Sequence, residues 1–134
     1  MSIRHPLALT LLCFATGCGS QENSYRVSGK VTYDGKPVPA GRVIFEPDAA
    51  KGNTGPQGFA VITNGEFDTA RPGSKGSIGG PMLVKIDGFD GVPRGEEGPP
   101  LGTPLFPAGD VQELDLPKAD STHDFAIPQT QASR

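Results

Sequence analysis

The chain has few of the residues on which disulfide scaffolds, zinc centres and aromatic platforms depend. Its 134 residues include two cysteines, two histidines and no tryptophan. Two cysteines are too few for a disulfide framework, and a zinc site needs three or four cysteine or histidine ligands. The composition therefore excludes a disulfide-stapled fold and a zinc protein, and it predicts no cofactor.

Long hydrophobic runs and an excess of basic residues are also missing. The longest apolar run, residues 7–14, is much shorter than the roughly 20 residues of a membrane-spanning helix. Lysine and arginine total 12 against 15 aspartate and glutamate, for a net charge of −3. Nucleic-acid-binding proteins need clustered basic residues, so nucleic acid is not a predicted partner.

The N-terminal residues have the layout of an export signal. A basic start at Arg4 and His5 precedes the apolar run, and small residues then lead to a cysteine. The sequence ATGC at 15–18 resembles the bacterial lipobox, in which the signal is cut before the cysteine and the thiol carries a diacylglyceryl anchor. An ordinary secretory signal is the alternative.

A lipid on Cys18 is expected to hold the mature chain on a membrane, because two acyl chains make the attachment effectively stable. Removing the signal peptide, residues 1–17, takes Cys13 with it, and 117 of the 134 residues remain. Residues 18–24 are then a lipidated tether. Gly19 follows the cysteine, and in lipoproteins of double-membraned bacteria a residue other than aspartate there indicates passage to the outer membrane. We expect an exported protein of the cell envelope, at the outer membrane or periplasmic face.

Glycine and proline are abundant, with 19 and 14 residues, and they cluster between short apolar runs. Both residues are poor in helix interiors and common in turns, so this pattern predicts an all-β domain. The alternation of apolar and polar residues predicts seven strands. They cover residues 25–33, 42–46, 59–63, 66–69, 81–89, 111–116 and 122–127.

The connections between these strands carry further signals. Asn64-Gly65 predicts a hairpin with a two-residue type I′ turn, because both residues tolerate positive φ. Residues 36–39 are predicted to be an unpaired connector, since proline blocks ladder pairing. The last two strands are expected to form a terminal hairpin. The long Gly- and Pro-rich loop at 88–109 is predicted to be functional or disordered.

Several short stretches resemble the signatures of carboxypeptidase regulatory-like domains, which are transthyretin-like (prealbumin-like) sandwiches. They are VSGKVTYDGKPVP at 27–39, VIFEP at 43–47, TNGEF at 63–67, the run 106–116 and DFAI at 124–127. Short lipoproteins of this build in planctomycete-type bacteria are especially similar. The resemblance implies a seven-stranded Greek-key sandwich over residues 25–127. Residues 128–134 are predicted to be a flexible tail.

Few residues offer chemistry. His123 is the single histidine after residue 17, and we expect it to face solvent at a hairpin edge, because sequence neighbours on a strand point to alternating faces. Asp87 and Asp90 offer calcium two carboxylates in a turn, fewer than calcium loops usually supply. Phe89 and Phe106 flank the long loop and are the aromatic candidates for exposed binding residues.

These observations predict a non-catalytic, lipid-anchored envelope module, not an enzyme, that interacts with an unknown envelope protein or surface polysaccharide. A carbohydrate- or calcium-binding module is the alternative, and a hydrolase is the third possibility.

Overall fold

The computed structural model describes residues 23–107 and 111–129. In these two ranges the chain forms strands, the 3₁₀ turn Ala49–Lys51 and no α-helix, so the predicted all-β class is confirmed. The strands are β1 (Val27–Tyr33), β2 (Lys36–Pro37), β3 (Ala40–Pro47), β4 (Gly58–Thr63), β5 (Glu66–Asp68), β6 (Gly80–Phe89), β7 (Val111–Leu116), β8 (Ser121–Thr122) and β9 (Phe125–Ile127). None of the described elements is a helix of the length and hydropathy needed to cross a bilayer.

The strands form one curled sheet that is mostly antiparallel. Its hydrogen-bonded order is β2-β1-β5-β4-β3-β6-β7, and β8 and β9 pair with β1 in parallel. The ring centroids of Phe45 on β3 and Phe125 on β9 lie 6.4 Å apart, and both rings contact Phe67 on β5. Because several strands separate β3 from β9 in the sheet, this contact requires the sheet to curl over its own inner face.

The core occupies the inside of the curl and follows from the alternation of the strands. In β6 every second residue is buried, starting from Gly80, and β3 alternates in the same way. Burial of the large apolar side chains contributes about 1.5–3 kcal/mol each. The buried apolar residues are Val27, Val31, Val38, Val43, Phe45, Ala60, Ile62, Phe67, Met82, Val84, Ile86, Phe106, Leu116, Phe125 and Ile127.

Two tight turns have the conformation that their sequences favour. Asn64 and Gly65 have φ of 50° and 77°, and they join β4 to β5 with Thr63 opposite Glu66. Positive φ at both central residues is the type I′ geometry, so the predicted hairpin is confirmed. The turn at 34–35 repeats this geometry between β1 and β2.

Residues 36–39 are not wholly unpaired, which corrects one prediction. Lys36 and Pro37 form the short strand β2, opposite Tyr33 and Thr32 of β1. Pro37 is tolerated because Thr32 directs its backbone groups toward β9, so the position opposite Thr32 needs no N–H donor. The chain pairs again at once, since the Val38 N–H donates to the Val31 carbonyl at 3.0 Å.

The predicted terminal hairpin is wrong, and the predicted count of seven strands changes with it. β7 pairs with β6, whereas the last predicted strand is divided into β8 and β9, and both lie along β1. The division falls where a side chain replaces a backbone partner: the Lys30 N–H donates to Asp124 Oδ1 at 2.9 Å. With the added β2, the described residues form nine strands.

Candidate functional site

The two ends of the sheet differ in what they carry. Four antiparallel steps lead from β1 to β6, so these strands run in the same direction, as does the parallel β9. Residues 34–39, 90–107 and 128–129 therefore lie together, and we call them the loop end. Residues 23–24 enter β1 at the opposite end, which the seven residues of β1 place roughly 20 Å away.

Asp90 organises the long loop. The first two residues of the predicted loop belong to β6, and the described part of the loop proper covers 90–107. Asp90 Oδ1 accepts hydrogen bonds from the backbone N–H groups of Val92 at 2.9 Å and Thr103 at 3.1 Å. The Arg94 guanidinium donates to Asp90 Oδ2 at 3.3 Å and to the Thr103 hydroxyl at 3.1 Å. The Val92 amide, followed by the Thr103 amide and Arg94, holds the pKa of Asp90 below its usual range.

These contacts bear on the calcium candidates. Both Asp90 carboxylate oxygens already accept hydrogen bonds from the loop, and Asp87 lies on the outer face of β6 opposite Arg42. Across residues 23–107 and 111–129, no three aspartate, glutamate, histidine or cysteine side chains come together in a way that could hold a metal ion. Asp90 therefore serves the loop, and in this part of the chain Asp87 and Asp90 belong to no cluster of three such side chains.

A groove of about 320 Å³ lies at the loop end. Its apolar lining comes from Tyr33, Pro37, Pro39 and Leu105, and its polar lining from Asp34, Lys36, Asp90 and Gln129. The volume is at the lower end of the roughly 300–1,000 Å³ range of small-molecule sites. The groove combines an aromatic ring, rigid proline walls and convergent polar groups, so it is the candidate binding site.

The two phenylalanines expected to be exposed are placed differently. Phe106 is only 5% exposed, so its predicted exposure is wrong. Its ring lies 5.5 Å from that of Tyr33, and Gly88 makes room for it, since a Cβ there would come within 2.6 Å of the ring. Phe89 is half-buried on the outer face of β6, with a single bridge to Pro104. Phe106 thus packs against the groove residue Tyr33 from the core, and neither phenylalanine lines the groove.

Tyr33 is the groove residue that sequence reasoning missed. The alternation of β1 places it on the same face as Val27 and Val31, which are fully buried. Tyr33 is the last residue of β1, however, and the core no longer covers it completely there. The position of Tyr33 directly before the Asp34-Gly35 turn indicated its partial exposure, because a side chain at the end of a strand lies near loops and solvent.

A second pocket of about 330 Å³ lies on the outer face of β1 and β5, and Asp68 is one of the charged residues that line it. Arg26 donates to both oxygens of Asp68, from Nε at 3.0 Å and Nη2 at 2.6 Å. This bidentate contact, followed by a hydrogen bond from the Ala70 amide, lowers the pKa of Asp68 to about 2. Asp68 raises the pKa of Arg26 in return. Because the Arg26 and Asp68 charges are each other's partners, we interpret this ion pair as structural.

The groups around His123 do not form a catalytic arrangement. His123 is half-buried instead of solvent-facing, and its ring lies 4.7 Å from that of Phe125. Asp124 accepts from the Lys30 amide and Asp120 from the Arg26 amide, so both carboxylates serve the backbone of β1. The Ser121 hydroxyl is buried without a hydrogen-bond partner among the described residues. A Ser–His–acid triad requires these groups to contact one another.

Some predictions fall on residues outside the described ranges. Lipidation at Cys18, the signal peptide and most of the tether lie there, as do residues 130–134 of the predicted tail. The first residues of that tail, 128 and 129, lie at the loop end, where Gln129 lines the groove.

Comparisons of this chain with protein-family models, with curated proteins and with solved structures find no match. The resemblance to carboxypeptidase regulatory-like domains therefore stays a prediction.

Proposed function

We propose that this chain is a non-catalytic module of the bacterial cell envelope, anchored by lipid on Cys18, and that its loop end contacts an envelope protein or surface polymer. The body of the module is, in this proposal, a transthyretin-like Greek-key sandwich of the carboxypeptidase regulatory-like kind. The curled sheet is compatible with this architecture. Its core lies between the inner faces of the paired strands β3 and β6 on one side and of β1 with the strands paired to it on the other.

The opposite placement of the tether and the groove carries the proposal. Residues 23–24 lead into β1 at one end, and Tyr33 and the 90–107 loop lie at the other. A lipid upstream of residue 23 would hold the first end near the bilayer. The groove and the ordered loop would then face away from the membrane, where a partner can reach them.

The non-catalytic part of the proposal is supported by the uses already made of the polar groups. The Asp120 and Asp124 carboxylates accept from backbone amides of β1, the backbone N–H of His123 donates to the Ser28 carbonyl at 2.8 Å, and the His123 ring packs against Phe125. Each of these hydrogen bonds attaches the C-terminal segment to β1. None of the three side chains is held against a nucleophile in the described part of the chain.

The anchor is tested by replacing the cysteine. Cys18→Ala should release the protein from the membrane fraction, whereas Cys13→Ala, in the expected signal peptide, should leave it attached. Mass spectrometry of the wild-type N-terminus should find acyl groups on Cys18. If Cys18→Ala still fractionates with membranes and the N-terminus carries no modification, the anchoring proposal is wrong.

Contact through the loop end is tested by cross-linking in intact cells. Replacement of residues 93–100 by a short Gly-Ser linker should remove the cross-linked partner and leave membrane attachment unchanged. The matched control shortens residues 53–57, which connect β3 to β4 at the opposite end. Equal loss of the partner in both variants would contradict a role of the loop end.

A further inference from the structure

The groove at the loop end is preformed by the fold. Tyr33 is fixed from below by the buried ring of Phe106, with 5.5 Å between the ring centroids. The N–H of Asp34, the next residue, donates to the Ile127 carbonyl at 2.9 Å and joins the turn to β9. Pro37 and Pro39 have their φ angles locked by their rings. A ligand therefore meets ordered walls, which reduces the entropy cost of binding.

The polar groups of the groove include both hydrogen-bond donors and acceptors. Lys36 offers an ammonium group, Gln129 an amide that both donates and accepts, and Asp34 a carboxylate. Lys36 and Asp34 are exposed, so their side chains are accessible to a ligand. The groove can thus form several directional hydrogen bonds beside its apolar floor.

The charged side chains that line the groove are Asp34, Lys36 and Asp90. Arg94, outside the lining, pairs with Asp90 at 3.3 Å, and Asp34 and Lys36 are two residues apart in the same turn. The lining therefore has no cluster of like charges to attract a strongly acidic or basic ligand. The complementary ligand is uncharged, rich in hydrogen-bonding groups, and has a flat apolar face for an aromatic ring.

We propose that this groove binds a short segment of a neutral saccharide, with Tyr33 contacting the apolar face of a sugar ring and with Lys36 and Gln129 contacting its hydroxyl groups. The aromatic ring supplies apolar contact area at a low entropy cost, and the surrounding side chains supply orientation. This inference names the surface polymer of the proposed function and rests on it only for the location of the protein in the envelope.

Binding is measured with the full-length chain in detergent micelles. The probes are an array of uncharged oligosaccharides that includes cellotetraose, chitotetraose and maltotetraose, and the best binder is then titrated by calorimetry. Tyr33→Leu keeps an apolar side chain but removes the ring, and it should weaken binding about tenfold or more, which corresponds to about 1.4 kcal/mol. Tyr33→Phe retains the ring and should keep affinity within about threefold of the wild type.

The matched controls lie at the opposite end of the sheet. Tyr25→Leu changes the same residue type on the chain entering β1, and Gln57→Ala is the counterpart of Gln129→Ala. Both controls should bind like the wild type, whereas Gln129→Ala and Lys36→Ala should each weaken binding several-fold. Circular dichroism melts establish that each variant is folded before titration.

Three results would overturn the inference: no array member binds, Tyr33→Leu binds as well as Tyr25→Leu, or the groove variants affect binding of a proline-rich peptide and no saccharide. None of them bears on the anchor, since Cys18→Ala is read from membrane fractionation. Failure of the saccharide site and failure of the anchoring proposal are therefore distinguishable.

Discussion

The attachment of the C-terminal segment to β1 depends on a glycine, and replacing that glycine is the sharpest test of the fold. Gly29 lies in the middle of β1, opposite Phe67 of β5. On its other side the His123 carbonyl approaches so closely that a Cβ would overlap the carbonyl oxygen. The same Cβ would lie 2.7 Å from the carbonyl carbon and 3.1 Å from Asp124 Oδ1. Backbone atoms cannot rotate away, so Gly29→Ala must push the 121–127 segment outward.

The cost has two parts. Overpacking a well-packed site typically destabilises by about 1–3 kcal/mol. Outward movement would also weaken the flanking hydrogen bonds, from the His123 N–H to the Ser28 carbonyl at 2.8 Å and from the Lys30 N–H to Asp124 at 2.9 Å. Each such bond contributes about 0.5–1.5 kcal/mol. The total is about 2–6 kcal/mol, a large part of the roughly 5–15 kcal/mol stability of a typical domain.

Thermal and urea unfolding followed by circular dichroism measure this loss. A domain of this size loses about 4 °C of Tm per kcal/mol, so Gly29→Ala should lower Tm by about 8–24 °C. Gly52→Ala is the contrasting variant, because that glycine has φ of 76° and no atom within 4 Å of an added Cβ. It should cost only the left-handed strain, about 1–2 kcal/mol.

Hydrogen exchange localises the effect, since the amides of Lys30 and His123 should exchange faster in Gly29→Ala while β3 and β6 stay protected. An unchanged Tm in Gly29→Ala would refute the reasoning. If the last strand paired with β7 as a hairpin, as the sequence pattern predicted, Gly29 would have no carbonyl beside it and alanine would be tolerated.

Three further predictions concern a turn, an ion pair and the loop. Gly65→Val should destabilise the protein by about 2–4 kcal/mol in urea unfolding. The φ of Gly65 is 77°, and a Cβ there would lie 2.6 Å from the Cβ of Pro37. A loss of stability under about 1 kcal/mol would contradict the turn geometry. The lowered pKa of Asp68, about 2 against 3.8 for the free group, contributes stability that is fully present above about pH 4 and is lost as pH falls toward 2. In Arg26→Ala, NMR titration should show that pKa move back toward 3.8, and an unchanged value would exclude the ion pair as its cause. Asp90→Ala should accelerate exchange of the two loop amides that donate to its carboxylate, and Asp90→Asn, which keeps an acceptor oxygen, should do so less; equal protection in all three proteins would show that the loop is ordered by other contacts.

The proposals connect these local features to a function. The Asp90 contacts order the loop, and the loop supplies Leu105 to the groove beside Tyr33. Disordering the loop should therefore weaken saccharide binding. Asp90 also lines the groove, so its replacement acts on binding directly as well as through the loop. Asp90→Asn and Asp90→Ala grade the effect on the loop, because asparagine keeps one acceptor oxygen at position 90 and alanine keeps none.

The class of the fold and its tight turns follow from the order of the amino acids alone. Alternation along β1 and β6 identifies buried faces because a strand turns successive side chains to opposite sides. The Asn64-Gly65 turn was equally predictable, since its conformation depends on the φ preferences of two adjacent residues. These properties are local, so neighbouring residues suffice to specify them.

The pairing of the strands and the exposure of the aromatic side chains depend on packing between distant segments. The parallel pairing of β9 with β1 joins residues almost a hundred positions apart, and no periodicity encodes it. Phe106 was expected to be exposed and Tyr33 to be buried. The curl of the sheet instead covers Phe106, and it leaves Tyr33 partly exposed at the end of β1. A binding groove is formed by segments distant in the chain, so it exists only once packing brings them together.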